Sequence, residues 1–220
     1  MRSVSILLIF LCLSVFAPAG GRAHPHEFVD AGITFYFDDQ GRLGATGIVW
    51  VWDEFTSMLI LEDLGLDGDG DGVLTGAERQ TAVERFNDWP EGFEGDLYLR
   101  SNGAPVELSG PLDLKVDYRD NRLIVSFLRP LPQRIDPGSA PVTLQVYDPT
   151  YYVFYDLAGA PKLAGREGCE IAIHEADTAA AQKLYEELLG DLTDEEILEE
   201  GKSPEVGGAF ADEVVLTCGN

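Results

Sequence analysis

Residues 27–37, Glu-Phe-Val-Asp-Ala-Gly-Ile-Thr-Phe-Tyr-Phe, alternate between apolar and polar positions, the period of a strand with one buried face. Asp38-Asp39-Gln40-Gly41 reads as a turn, and Leu43 to Trp52 as the returning arm of a hairpin. Asp53 then offers a side-chain oxygen suited to cap a helix whose apolar positions run through Phe55, Met58, Leu59 and Leu61. An acidic, glycine-rich loop follows, and a second helix is expected from about Gly76 to Asn87. Trp89-Pro90-Glu91-Gly92 ends that pair, so residues 53–90 read as a helical insertion.

From Asp96 to Tyr155 the pattern returns to strand lengths. The runs Leu97–Arg100, Val106–Leu108, Leu112–Tyr118, Leu123–Leu128, Val142–Tyr147 and Tyr151–Tyr155 are separated by Asn-Gly, Ser-Gly-Pro, Asp-Asn and Asp-Pro turn signals. Cys169 to His174 adds another alternating strand, residues 177–200 a helical stretch and Val214 to Thr217 a last strand. The resulting expectation is a mainly β (α+β) protein. It is an antiparallel immunoglobulin-like sandwich with an inserted EF-hand-like helix–loop–helix and C-terminal helices. One domain spans 24–220, with 94–220 as the sandwich portion.

The first 23 residues do not belong to that pattern. Arg2 precedes an apolar run from Ile6 to Ala17, shorter than the ~20 residues that span a bilayer. Small residues follow, with Gly21 and Ala23 placed for cleavage before His24, so a signal peptide cleaved after Ala23 is expected. The mature chain would then be periplasmic or secreted and hold two cysteines, Cys169 and Cys218. An oxidising compartment favours their pairing as a disulfide.

Charge narrows the partners. The 220 residues carry 15 Lys and Arg against 39 Asp and Glu, a formal net charge of −24. A field of that sign repels phosphates, so nucleic acid is excluded as a partner and cations are favoured. With 45% hydrophobic residues the composition is nevertheless that of a folded chain.

The sharpest motif lies in the acidic loop. Asp67-Gly-Asp69-Gly-Asp71-Gly72-Val73-Leu74-Thr75-Gly-Ala-Glu78 matches the twelve-residue calcium loop position by position. Asp67, Asp69 and Asp71 supply hard oxygens at positions 1, 3 and 5, and Val73 its carbonyl at 7. Thr75 stands at 9 and Glu78 at 12, while Gly72 permits the bend at 6. Leu74 is expected to pack inward between the helices. Gly65 and Leu66 suggest that the entering helix ends early, which suits a structural Ca²⁺ clamp.

The new amino terminus carries a second metal hypothesis. His24 and His26 would offer an α-amine and two imidazoles, nitrogen donors suited to Ni²⁺, Co²⁺, Zn²⁺ or Cu²⁺. Asp53 and Asp148 are candidate completing ligands, although Asp53 also suits a helix cap and Asp148 a turn. His174 falls on the expected solvent face. No nucleophile elbow, phosphate loop or zinc-protease histidine pair is present, so a non-enzymatic role is expected.

The opening His24-Pro25-His26-Glu27-Phe28-Val29-Asp30-Ala31 is one of several segments with a resemblance. Together with Trp50-Val51-Trp52-Asp53-Glu54, the acidic loop, Tyr147-Asp148-Pro149-Thr150-Tyr151-Tyr152 and Cys218, it resembles a domain-of-unknown-function family of exported proteins. Its members are labelled periplasmic components of an ABC-type transport system and are often encoded beside nickel/cobalt exporter-type permeases. The resemblance implies a periplasmic metal-binding accessory or substrate-binding protein, with an inner-membrane metal permease as partner and His24 and His26 as motif residues. The alternatives are a calcium-stabilised, non-catalytic interaction module and, as the enzymatic one, a copper-brace oxidase.

Overall fold

The inward slots of alternating strands build two sheets around one shared core. A computed structural model describes residues 25–190, 192 and 203–219. The expected leader, residue His24 and the stretch 193–200 of the expected C-terminal helix lie outside the described residues. The first sheet has the order β5-β6-β2-β1-β8, with β9 also paired to β1. Its strands are β1 (Glu27–Phe37), β2 (Leu43–Trp52), β5 (Leu112–Arg119), β6 (Arg122–Ile135), β8 (Val153–Leu157) and β9 (Lys162–Ala164). The second sheet has the order β10-β11-β7-β3-β4, from β3 (Leu97–Ser101), β4 (Ala104–Val106), β7 (Val142–Val146), β10 (Cys169–His174) and β11 (Glu213–Cys218).

On β1 the inward residues are Val29, Ala31, Ile33 and Phe35; on β7 and β11 they are Val142, Leu144, Val146, Val214 and Leu216. Both sets belong to one buried cluster, which defines the mainly β sandwich. Trp50 of β2 packs edge-on against Phe127 of β6 at 4.8 Å between ring centres.

Two features differ from the sequence expectation. β8 and β9 lie parallel to β1, pairing Glu27–Ala31 with Val153–Leu157 and Thr34–Tyr36 with Lys162–Ala164. The β8 strand also begins at Val153, later than the apolar run from Tyr151 suggests. Tyr151 instead sits in a turn at φ 60° and stacks on Phe210 at 3.6 Å.

The inward alternation of β6 places Arg129 among Leu123, Val125, Phe127 and Leu131, with 2% of its surface exposed. Its guanidinium donates to the carbonyls of Ser109 (2.6 Å), Glu94 (2.5 Å) and Leu108 (3.4 Å) and lies over the Trp89 ring at 4.8 Å. The loop that leaves the helical insertion is thereby fastened to the sandwich. Gly95, at φ 65°, lets the chain pass there, since a Cβ would overlap Trp89 and the Arg129 guanidinium.

The insertion consists of α1 (Glu54–Leu64) and α2 (Gly76–Asn87). Asp53 caps α1 by accepting from the Phe55 and Thr56 N–H groups, both at 2.9 Å, and Gly65 ends the helix in the left-handed region at φ 64°. Among the described residues the C-terminal helix α3 covers Thr178–Gly190, and its Ala181 and Tyr185 form a satellite cluster with Val206 and Phe210. A single helical turn at Gly207–Phe210 sits on the 148–152 turn. A Cβ at Gly207 would overlap the Asp148 carbonyl.

Candidate functional site

The loop between α1 and α2 gathers three carboxylates. One ligand oxygen from each of Asp67, Asp69 and Asp71 lies within 4.8 Å of the others. Two oxygens on one Ca²⁺ can be at most about 5 Å apart, twice a bond of ~2.5 Å, so the separation suits a shared hard cation. The backbone makes this convergence. Asp67, Gly70 and Gly72 all adopt positive φ, and the Gly72 N–H donates to both Asp67 carboxylate oxygens at 3.2 Å. The Val73 N–H donates to Asp71 at 2.8 Å. Leu74 is 1% exposed and anchors the loop in the core, as its apolar character at position 8 requires.

Thr75 and Glu78 form a reciprocal capping box at the start of α2. The Thr75 hydroxyl accepts from the Glu78 N–H at 3.3 Å, and the Glu78 carboxylate from the Thr75 N–H at 2.7 Å. The Thr75 N–H, aided by the Asp67 and Gly68 N–H groups, holds the Glu78 carboxyl below its usual range. Those contacts turn Glu78 toward the first residues of the loop. The three gathered aspartates offer only oxygen, a donor set that suits a hard cation, while the Glu78 carboxylate is engaged in the capping box.

The start of β1 forms a second polar region. The His26 N–H donates to the Tyr152 carbonyl at 2.9 Å, and the two rings stack at 4.8 Å. Burial pushes the carboxyl of Glu27 up, and the nearby Asp53 and Asp148 charges push the same way. A hydrogen bond from the Trp52 side chain and the His26 ring oppose them. His26, Glu27, Asp53 and Asp148 are therefore electrostatic neighbours. Glu27 was not singled out from the sequence; its position directly after the His-Pro-His run was the available signal.

The structure places Asp53 and Asp148 in the cap and the turn that their sequence contexts also suited. Asp53 accepts from the Thr56 hydroxyl at 2.6 Å as well as from its two cap N–H groups. Asp148 accepts from the N–H groups of Thr150, Tyr152 and Val153 at 3.0, 2.8 and 3.1 Å. Both carboxylates serve cap and turn. Among the described residues, the aspartates at 67, 69 and 71 form the group of three candidate metal ligands, and His26 is not in it. His174 stands on the outer face, 3.6 Å from Glu213. Cys169 and Cys218 face each other across β10 and β11 and are joined by a disulfide.

An open groove of about 720 Å³ runs between α1, α2 and the start of β1. Trp52, Phe55, Leu59 and Phe86 supply apolar wall, and Glu27, Asp63, Arg85 and Asp88 line it as charged groups. No helix among the described residues is long and apolar enough to cross a membrane.

A family described as "Protein of unknown function (DUF1007)" matches residues 7–218. An uncharacterized protein of Haemophilus influenzae is 24% identical over 215 residues, covering 94% of this chain and 97% of that protein.

Proposed function

This chain belongs to the DUF1007 family, and we propose that it is an exported, non-catalytic metal-binding protein whose acidic loop takes up Ca²⁺. The observation that carries this reading is the convergence of Asp67, Asp69 and Asp71 within 4.8 Å, on the loop that joins the two inserted helices. In this role Asp67, Asp69, Asp71, the Val73 carbonyl, Thr75 and Glu78 would hold the ion. Calcium bound there fixes α1 against α2 and supplies stability, not chemistry.

Beyond that clamp, the protein serves a transition-metal transport system in the periplasm, with His24 and His26 gripping Ni²⁺, Co²⁺, Zn²⁺ or Cu²⁺ for an inner-membrane permease. Glu27, next to His26 in the chain, supports this reading by adding an oxygen donor to the histidine nitrogens.

Calorimetric titration of the protein processed to His24 is the test. Ca²⁺ should bind one site that Asp69→Asn/Asp71→Asn removes. Of the four transition ions, at least one should bind a separate site that His24→Ala/His26→Ala removes. If the histidine variant binds as the parent does, the transport reading fails and the calcium reading stands alone. If dialysed protein shows no Ca²⁺ uptake, the clamp fails.

A further inference from the structure

Helix α1 buries Leu61 and packs Ile60 and Leu64 against the core, but carries three large apolar residues on the outside. Phe55 is 65% exposed, Met58 50% and Leu59 45%, whereas the buried positions of the same helix are Thr56, Ser57 and Leu61. This exposure is built in. The Ser57 hydroxyl accepts from the buried Leu123 N–H at 2.8 Å, closing the start of β6, and the Thr56 hydroxyl donates to the capping Asp53 at 2.6 Å. Turning α1 to hide these three would orphan that N–H and break the cap. Phe55, Met58 and Leu59 stand at i, i+3 and i+4, and Phe55 and Leu59 form one wall of the groove against Phe86 of α2. Large apolar side chains gathered beside a groove mark an interaction surface.

Charge decides what covers it. Among the described residues, Glu27, Asp63 and Asp88 line the groove beside Arg85 and His26, on a chain of net charge −24. A second copy would bring the same carboxylates together, and an anionic membrane would be repelled. We propose that the α1–α2 groove docks a basic amphipathic helix of another protein, its apolar side chains seated on Phe55, Met58 and Leu59 and its flanking Lys or Arg on Asp63 and Asp88. A helical occupant matches a trough between two helices, and β1, paired on both sides, leaves no edge there for an added strand. This assignment goes beyond the metal-binding reading; because His26 and Glu27 also line the groove, it is tested without transition ions.

The test uses the processed protein in millimolar Ca²⁺ and a synthetic Leu/Lys peptide of about 18 residues, long enough to hold a helix, beside a Leu/Glu peptide of the same pattern. The Leu/Lys peptide should bind one-to-one, weaken as salt rises and change the tryptophan emission through Trp52. Phe55→Ser/Met58→Ser/Leu59→Ser should weaken it at least tenfold with an unchanged melting temperature, since these side chains are already exposed. Asp63→Asn/Asp88→Asn should weaken it and flatten its salt dependence. The proposal is overturned by no saturable Leu/Lys binding, by equal Leu/Glu binding, or by a triple variant within twofold of the parent. Should the parent instead dimerise or adsorb to zwitterionic vesicles in a way the triple variant abolishes, the face belongs to a second copy or to lipid.

Discussion

At the scale of single residues, two buried polar groups bind the loops to the sandwich. Asp96 is 7% exposed and accepts from the Tyr155 hydroxyl at 2.6 Å. Burial pushes its carboxyl up to about 7 from 3.8; the Tyr155 hydrogen bond opposes this and the Asp148 charge adds to it. The folded state therefore holds a proton here that the unfolded chain releases. Its stabilising effect is full below about pH 4 and is lost as pH rises through about 7, a window worth roughly 4 kcal/mol. Asp96→Asn, which keeps an acceptor for Tyr155, should flatten the fall in urea-denaturation stability between pH 4 and 7. A variant that retains the parent's slope would place the pH response elsewhere. Asp53 works the opposite way. Burial raises its carboxyl, the Thr56 and Phe55 hydrogen bonds outweigh that, and the stability it contributes is lost as pH falls. For Arg129, replacement by Met would leave the Ser109, Glu94 and Leu108 carbonyls without their donor and should cost about 3 kcal/mol or more. A loss under about 1 kcal/mol would mean the guanidinium acts by packing alone.

At the scale of elements, the helix–loop–helix is the unit that calcium would report on. Glu78 performs two tasks, capping α2 and standing at position 12 of the ion loop. Glu78→Gln keeps the cap acceptor and removes the charge. The variant should lose most of the Ca²⁺-dependent rise in melting temperature and melt close to the parent in chelator. Equal melting of the parent with and without Ca²⁺ would remove the clamp role. The boundaries of α1 were legible because Asp53 and Gly65 are strong local punctuation; the Thr75 cap of α2 was hidden in the ion-loop pattern. Which face of α1 points inward was not legible. Phe55, Met58, Leu59 and Leu61 are alike as apolar positions along the chain, and the need of the Leu123 N–H for an acceptor, created only when β6 arrives, turned Ser57 in.

At the scale of the whole molecule, the edge strand β10 is tied to the last strand, β11, by the cross-strand disulfide, which spans a sequence separation of 49. Closing a loop of that length is worth about 4 kcal/mol through the unfolded chain. Cys169→Ser/Cys218→Ser should lower unfolding stability by about that amount, and reductant should destabilise the parent but not the variant. If the parent is as stable in reductant as without it, the bridge contributes little beyond the β10–β11 pairing.

By itself the sequence determined the strand and helix positions of the hairpin and insertion, the carboxylate spacing of the loop and the two cysteines free to pair. These are properties of neighbours along the chain, where alternation, capping and turn chemistry act within a few residues. Only the tertiary structure decided that β8 and β9 run parallel to β1, that Arg129 takes an inward slot of β6, and that α1 shows Phe55, Met58 and Leu59 to solvent. It also set Glu27 beside Asp53 and Asp148. Each of these depends on groups far apart in sequence meeting, such as a buried carbonyl needing a donor or one carboxylate raising another's proton affinity, and no local pattern encodes such a meeting.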